Sequence, residues 1–578
     1  MEVYKDAIAK CLSTPLGKPI ADIVAMLRTP PEPGWGDYAL PCFALAREWH
    51  RAPQQIAATL AADLTVPEGV ATVSATGPYL NFILDNDRLS RDVLQEILRT
   101  GEHYGHGREG AGKKVILDYS SPNIAKELLF HHIRSTMIGH ALKQILRVRG
   151  YTVEGDNHIG DWGTPFGLLI AAYKRFGWDA QATVEDIVQL NALYVRASQT
   201  ARTDATFAEE GRRWFQRLEA GDAEARTYWR WFVEVSMAEF QKVYDVLGVS
   251  FEHTLGESFF EPYMDEVLTD LQARGLATES QGALIVDLSA YDMPPFLLKK
   301  QDGTTLYSTR DLATALYRRQ EWSADLCLYV VDMGQSLHFQ QLFKVLELAG
   351  YAWARECHHI PFGLVLTQNP TTGKWEKGST RQGNASLLKT VLEEAIAMAR
   401  DKITESNPTL PDKDHVARQV GVGAVVFNDL KNRRTRDVKF DKEAILNPYG
   451  ETGPYMQYAH ARCTSVLAAT SMEPGEGVDY TMLREPEERA LVRKLASYPE
   501  AVAQAAQEWE PSIVAQHLLA IAADFNAYWA RGNKDATVRI LRQDAPAFTA
   551  ARIALTAAVR MVLRNGLHLL GVPTPDAM

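Results

Sequence analysis

The chain has 578 residues, of which 46% are hydrophobic and 23% are charged. This is the composition of an ordinary globular protein, and the length predicts about three or four domains. The 61 basic and 72 acidic side chains give a net charge of −11, which excludes a general electrostatic attraction to nucleic acid. Any RNA contact would therefore use local basic clusters.

The sequence contains no apolar run of about 18 residues and no secretory signal at its start, so neither a membrane span nor export is expected. The cysteines are scattered without paired spacing: Cys11, Cys42, Cys327, Cys357 and Cys463. This pattern indicates a reducing compartment, and we expect a cytoplasmic protein.

Residues 1–110 predict a small α+β unit, with a strand within Gly77–Asp85 and a helix over Leu89–Thr100. A continuous apolar run at 115–117 then predicts a strand that is buried on both faces. Helical spacing follows up to a stop at Gly150, and a second strand comes next. Strand, helix and strand in this order predict a right-handed parallel unit.

Residues 165–290 are rich in helical and aromatic patterns and predict an inserted helical subdomain. From residue 386 onward helices dominate, up to a final helix near 549–565. Strand signals of the α/β region occur at 283–288, 326–332 and 360–366.

Ligands of a parallel sheet bind at the carboxyl ends of its strands, where a following helix N-terminus attracts phosphate. His131 and His132 lie near such a start and could donate hydrogen bonds to phosphate. On these two residues alone, a partly buried histidine pair at a helix terminus without a ligand is the favoured interpretation.

Several segments together carry a resemblance to a known family: SSPNIAKELLFHHIRST, GDWGT, GTTLYSTRDLATALYR, VVDMGQSLHFQQLF and EKGSTRQGN. They resemble class I aminoacyl-tRNA synthetases of the arginyl type. The resemblance extends from PEPGWGDYALP near the start to ETGPYMQYAHAR and the last helix. It implies an α/β fold with a Rossmann-type parallel-sheet catalytic domain and a helical insertion. A small N-terminal α+β domain and an all-α anticodon-binding domain would flank it.

The resemblance also implies domain bounds. Residues 1–110 would form an N-terminal domain that contacts tRNA, and 111–385 the catalytic domain with its insertion at about 165–290. Residues 386–445 would form a helical region that contacts the tRNA stem, and 446–578 the anticodon-binding domain.

An arginine pocket is implied by matching positions: Asp118, Ser121, Asn123, Tyr307, Asp311 and Gln335. Ser121 and Asn123 would hold the α-amino and carboxylate end, and Tyr307 and Asp311 would stack on and pair with the guanidinium. A guanidinium is planar and always charged, so its site needs an aromatic face and carboxylates. Alone, Tyr307 and Asp311 would be read as groups that cap and pack a helix.

The implied catalytic groups are His132, Lys126 and Lys377. ATP would contact a larger set of residues: His131, His132, Gly160, Asp161, Trp162, Gly163, Lys377 and Ser379. Mg²⁺ is expected with ATP. A metal site of the protein's own is not expected, since Cys357-His358-His359 lacks a second ligand pair for zinc.

The sequence departs from the family pattern at the usual His-x-Gly-His, where it reads Leu129, Phe130, His131 and His132. The family glycine lets the adenine approach the backbone closely, as an absent Cβ permits. We therefore expect His131 to crowd the adenine. Pro165, where glutamine is common, is a milder departure.

RNA contacts are suggested by KNRRTRDVK, which contains Arg433, Arg434 and Arg436. Such a run is also typical of a solvated face. By resemblance, Tyr455, Tyr458 and Arg462 would stack on bases or bind phosphate.

The implied function is an arginine–tRNA ligase, which forms arginyl-adenylate from ATP and arginine and transfers the arginyl group to the 3′ end of tRNA(Arg). Positioning and charge would drive the reaction without a covalent nucleophile. A monomer is the family's usual form. Two alternatives stay open because of His131: a paralogue with an impaired ATP site that binds tRNA or arginine as a regulator, and a diverged ligase of a specialised pathway.

Overall fold

The computed structural model of the protein describes residues 1–178, 186–301, 307–369, 372–377, 386–475 and 477–578. The chain forms two compact units. The first comprises residues 1–104, 459–500 and 517–565, and the second comprises residues 105–458, 501–516 and 566–578.

The N-terminal part of the first unit contains α1 (Glu2–Leu16), α2 (Ile20–Met26), β1 (Tyr38–Pro41), α3 (Phe43–Trp49), α4 (Pro53–Asp63), β2 (Val70–Thr76), β3 (Tyr79–Leu84) and α5 (Asn86–Thr100). Its strands form an antiparallel sheet in the order β1-β3-β2. The Asp85 carboxylate accepts from the N–H groups of Asp87 and Arg88 and so caps α5. This cap explains why α5 begins earlier than the apolar spacing predicts.

The second unit begins with β4 (Lys114–Asp118), α6 (His132–Val148) and β5 (Thr152–Asp156). A largely helical stretch follows: α7 (Thr164–Phe176), α8 (Asp186–Thr203), α9 (Ala205–Glu219), α10 (Ala223–Leu247) and α11 (Met264–Ala273). The chain then returns through β6 (Ala277–Ser280), β7 (Ala283–Val286), β8 (Phe296–Lys299), α12 (Tyr307–Gln320), β9 (Leu326–Tyr329), α13 (Ser336–Leu348) and β10 (Cys357–His359).

The central sheet is parallel and has the strand order β10-β9-β4-β5. The core beside it contains Ile116, Phe260, Leu298 and Leu342. The predicted α/β class with a parallel sheet is confirmed. The strands β6, β7 and β8 form a separate antiparallel sheet after the helical stretch.

The remaining elements are β11 (Val365–Gln368), β12 (Trp375–Lys377), α14 (Leu388–Ser406), α15 (Lys413–Leu430), β13 (Val438–Phe440), α16 (Gly453–Ala468), α17 (Pro486–Glu508), α18 (Ser512–Lys534) and α19 (Pro546–Leu569). The strand β11 pairs with both β12 and β13. By length and composition α19 could cross a membrane, but 67% of its apolar window is buried, as in the core helix of a folded domain.

The strand predicted over 360–366 is wrong. The structure places β10 before this range and starts β11 only at Val365. Pro361 offers no N–H to a ladder, and the N–H of Leu364 donates to the Asp437 carboxylate at 2.7 Å. The apolar run therefore crosses between two strands of different sheets.

Tyr119, directly after β4, fixes how α6 and β5 pack. A Cβ on Gly139 of α6 would lie 2.2 Å from the Tyr119 Cγ, and a Cβ on Gly155 of β5 would lie 2.7 Å from its Cε1. The Tyr119 hydroxyl donates to the Ser250 carbonyl at 3.2 Å. The ring thus occupies space that two glycines leave open.

We predict that Gly139→Ala destabilises the second unit by about 1–3 kcal/mol, because the added methyl overpacks a buried ring. Denaturant unfolding followed by tryptophan fluorescence measures this loss. Gly450→Ala is the matched control, since its Cβ would meet only ordinary contacts at 3.8 Å. Equal stabilities of the two variants would contradict the packing role of Gly139.

Candidate active site

The loop after β4 turns through two serines in a strained backbone conformation. Ser120 and Ser121 have φ of 71° and 48°, in the left-handed region that side chains rarely adopt. The Ser120 N–H donates to Ser135 Oγ on α6 at 2.9 Å. The Ser120 hydroxyl lies 2.9 Å from both Thr136 Oγ1 and Tyr244 Oη. Helices α6 and α10 therefore hold the loop in this conformation.

The Gly-Asp-Trp-Gly loop after β5 clamps the first loop. The Gly160 N–H donates to the Pro122 carbonyl at 3.0 Å, and the Gly160 carbonyl accepts from Ile124 N–H at 3.1 Å. A Cβ on Gly160 would lie 2.1 Å from Asn123 Oδ1. Glycine at this position thus leaves the space that the Asn123 amide occupies.

The next two residues of that loop fasten it to the helical stretch. The buried Asp161 carboxylate accepts from the N–H and the hydroxyl of Ser258 at 2.8 and 2.6 Å. Trp229 donates to the Asp161 carbonyl at 2.7 Å, and the Trp162 ring packs edge-on against Phe215 and Trp229. Gly163, with φ 125°, then leads into α7. Asp161 and Trp162, predicted to bind ATP, thus have structural partners of their own.

A fully buried guanidinium joins the carboxyl ends of β4 and β5. The Arg318 Nη2 atom lies 2.7 Å from Asp118 Oδ2 and 2.7 Å from Asp156 Oδ2. The other oxygen of Asp118 accepts from the Ser121 hydroxyl at 2.8 Å. Asp118 was expected to contact the substrate, but the structure pairs it with Arg318 and turns it toward Ser121.

A second set of acidic side chains, Asp311 and Glu257, lies around the start of α12. Asp311 Oδ2 lies 2.6 Å from His338 Nε2, and the exposed Tyr307 ring lies 5.0 Å from the His338 ring. Arg310 pairs with Glu257 at 3.2 Å, and burial is the main cause that raises the pKa of Glu257. Gln335 is exposed just before α13. The structure thus brings Tyr307 and Asp311 together, beside a histidine that was not predicted.

A cleft lies between the start of α6 and the segment before β11, and His131, His132 and Lys377 line it. His132 Nδ1 lies 2.9 Å from the Leu129 N–H and 3.0 Å from the Leu129 carbonyl, so the Leu129 backbone fixes the orientation of the ring. Burial, followed by the charges of His131 and Lys126, lowers the pKa of His132 to about 4. Near neutral pH, His132 is therefore an uncharged hydrogen-bond donor.

His131 stacks on His132 with the ring centroids 4.3 Å apart. Its side chain is exposed in the cleft, where loss of hydration and the charge of Lys377 lower its pKa. Lys126 Nζ lies 4.8 Å from the Tyr194 ring centroid, next to the same histidines. Ser379, predicted to bind ATP, lies outside the described residues.

The predicted RNA-binding residues differ in their surroundings. Arg433 and Arg436 are exposed, whereas Arg434 donates to the carbonyls of Trp509 and Pro361 at 3.1 and 3.4 Å. These bonds hold Arg434 within its own unit.

The residues predicted to stack on bases or bind phosphate also differ in how exposed they are. Tyr455 is half-buried and Tyr458 is 41% exposed. Arg462 donates to Asn526 Oδ1 at 2.6 Å and lies 5.3 Å from the Trp529 ring centroid. Among them, Tyr458 has the surface that a base could stack on.

Sequence reasoning missed the groups that support the site: Ser135, Asn157, Tyr244, Glu257, Arg318 and His338. A local signal existed for three of them. Ser135 follows His131 and His132 in SSPNIAKELLFHHIRST, Arg318 shares a helix with Asp311, and His338 follows Gln335 in VVDMGQSLHFQQLF. The other three reach the site only through the tertiary fold, for example Asn157, whose Oδ1 accepts from the Ser121 N–H at 3.1 Å.

Comparison with known proteins identifies relatives of the whole chain. A family model described as tRNA synthetases class I (R), catalytic domain, matches residues 93–442. The models of the arginyl tRNA synthetase N terminal domain and of the DALR anticodon binding domain match residues 2–84 and 456–578. All three matches follow one another without overlap.

Individual relatives agree with these matches. Arginine–tRNA ligase 1 of Bacillus cereus is 43% identical over 577 residues, and the comparison covers 100% of both chains. The arginine–tRNA ligase of Lactococcus lactis subsp. lactis is 42% identical over 100% of this chain and 99% of its own. The solved structure of Thermus thermophilus arginyl-tRNA synthetase superposes with a TM-score of 0.81 at 28% identity, covering 100% of each chain.

We predict that Arg318→Met destabilises the protein by about 3–5 kcal/mol, because it leaves two buried carboxylates without their cation. Arg318→Lys retains the charge and should recover part of the loss. Thermal and denaturant unfolding measure both variants. A methionine variant as stable as the parent would show that Asp118 and Asp156 do not need this partner.

Proposed function

We propose which residues of this chain bind each substrate of its reaction. The chain belongs to the class I arginyl-tRNA synthetase family and is an arginine–tRNA ligase. ATP activates arginine as arginyl-adenylate, and the arginyl group then passes to the 3′ end of tRNA(Arg). The full-length identity of 43% to a curated arginine–tRNA ligase carries this conclusion. It supports the ligase and not a regulator that has lost the reaction.

The substrate arginine would bind between the loop after β4 and the start of α12. Tyr307 offers an aromatic face, and Asp311 offers a carboxylate that the guanidinium can pair with. Ser121, Asn123 and Gln335 would hold the α-amino and carboxylate end. Asp118 acts on Ser121 through their 2.8 Å hydrogen bond, so its contribution to binding is indirect.

ATP would occupy the cleft beside His132 and Lys377. The uncharged His132 ring would contact a phosphate oxygen, whereas Lys377 and Lys126 supply positive charge. Ser379 and the loop from Gly160 to Gly163 complete the predicted ATP contacts. These groups accelerate the reaction by orienting the α-phosphate and by stabilising charge that develops there.

Mg²⁺ is the ion expected with ATP, and phosphates supply most of the ligands that this ion prefers. Asp332 lines the cleft and offers it a carboxylate. The cationic side chains Lys126 and Lys377, together with the His132 N–H, would then face the phosphate oxygens that the ion leaves free.

The tRNA would contact the exposed Arg433 and Arg436 with its backbone, and Tyr455, Tyr458 and Arg462 in the anticodon-binding part. Arg434 would hold this segment in place through its hydrogen bonds to the carbonyls of Trp509 and Pro361.

We keep the predicted domain bounds as proposals, with tRNA contacts by residues 1–110 and 386–445, catalysis by 111–385 and anticodon binding by 446–578. A cytoplasmic monomer is part of the same proposal. The unpaired cysteines of the described chain support a reducing compartment.

We predict that the purified protein charges tRNA(Arg) with arginine when ATP is present. Asp311→Asn should raise the KM for arginine by about 10–100-fold, because it removes the charged acceptor of a hydrogen bond worth about 1.5–3 kcal/mol. Aminoacylation with labelled arginine measures both effects. Failure of the parent protein to charge tRNA would overturn the function, and unchanged arginine affinity in the variant would overturn the pocket.

We predict that His131→Gly tightens ATP binding by up to about tenfold, equivalent to about 1.4 kcal/mol, because it removes a ring from the adenine side of the cleft. His131→Ala removes the ring but keeps Cβ, so it separates crowding by the ring from crowding by the backbone substituent. Calorimetric titration with ATP measures all three proteins. Equal affinities would show that the cleft already accommodates the histidine.

A further inference from the structure

Asp311, the carboxylate proposed to pair with the substrate guanidinium, has a partner within the protein. His338 Nε2 lies 2.6 Å from Asp311 Oδ2, and the two side chains are only 12% and 28% exposed. The distance is that of a strong hydrogen bond to a charged acceptor. One oxygen of Asp311 is therefore engaged before any ligand arrives, and Oδ1 is left for the substrate.

The His338 ring is itself held in place by aromatic side chains. Phe296 of β8 stacks on it at 5.9 Å with an interplanar angle of 23°, and Tyr307 of α12 lies 5.0 Å away at 55°. Phe339 meets the ring edge at 5.5 Å. His338 thus touches both residues that the proposed function assigns to the guanidinium.

We propose that His338 is a positioning residue for arginine recognition: it holds Asp311 Oδ2 so that Oδ1 can pair with the guanidinium. This inference rests on the proposed arginine pocket. The hydrogen bond to Oδ2 fixes the rotation of the Asp311 carboxylate before the substrate arrives.

His338 contacts Asp311 directly, whereas Glu257 acts on Asp311 through its charge. Asp311 and the Tyr307 ring face His338 from α12, and Phe296 of β8 carries no charge. His359 of β10 packs on Phe339 at 4.6 Å and contacts the Val331 carbonyl instead of Asp311.

The test is direct binding of L-arginine to the full-length protein without ATP or tRNA, by calorimetry at one fixed pH. The parent protein supplies the reference affinity.

Two substitutions of His338 separate its hydrogen bond from its ring packing. His338→Gln retains a donor near the position of Nε2, so it should bind arginine like the parent. His338→Phe retains the ring between Phe296 and Tyr307 but donates nothing, so it should bind about tenfold more weakly. His415→Gln, on the exposed face of α15, is the matched control and should keep the parent's affinity.

The outcomes distinguish this inference from the pocket on which it rests. If Asp311→Asn binds arginine normally, the proposed pocket fails. If Asp311→Asn weakens binding but His338→Phe does not, the pocket stands and the role of His338 is overturned. Binding by His338→Gln that is as weak as binding by His338→Phe would likewise refute the hydrogen bond as the cause. ATP affinity, measured in parallel, identifies any variant that has lost its fold.

Discussion

The site depends on one backbone constraint: the chain must leave β4 through two residues in the left-handed region, Ser120 and Ser121. Each such residue costs about 1–3 kcal/mol and persists only where its surroundings over-determine it. Here α6 supplies Ser135 and Thr136, and α10 supplies Tyr244. The strained turn places the Ser121 hydroxyl within 2.8 Å of Asp118, so the sheet, α6 and α10 all contact this loop.

The protein also contains a guanidinium of its own, that of Arg318, and its surroundings differ from those of the proposed substrate guanidinium. Arg318 is fully buried between the carboxylates of Asp118 and Asp156, at 2.7 Å from each. A permanent structural ion needs such full compensation, because an unpaired buried charge is very costly. A substrate must bind and leave, and Asp311 suits that purpose better: it is partly exposed, and one of its oxygens is already engaged by His338.

The sequence predicts the parts of this site that are local and misses those that are not. The apolar run of β4 and the glycine after α6 identify the parallel unit without any tertiary information. The segment 360–366 is equally apolar but crosses between sheets, because the Asp437 carboxylate captures a backbone donor from another part of the chain. Asp118 is a recognisable acidic position, yet its partner Arg318 is 200 residues away, and only the folded chain shows that the pair is internal.

His131 shows what a departure from a family pattern means physically. Its backbone has φ −65°, an ordinary helical value, so the position does not need the conformational freedom of glycine. A glycine would be required at this position only if a side chain there collided with the ligand. The histidine ring lies against His132 at a centroid separation of 4.3 Å, and it therefore follows one wall of the cleft. Since a flat ring on a wall can also present a stacking face, the substitution changes the shape of the proposed ATP site, while His132 keeps its contact with the Leu129 backbone and the proposed arginine pocket keeps its residues.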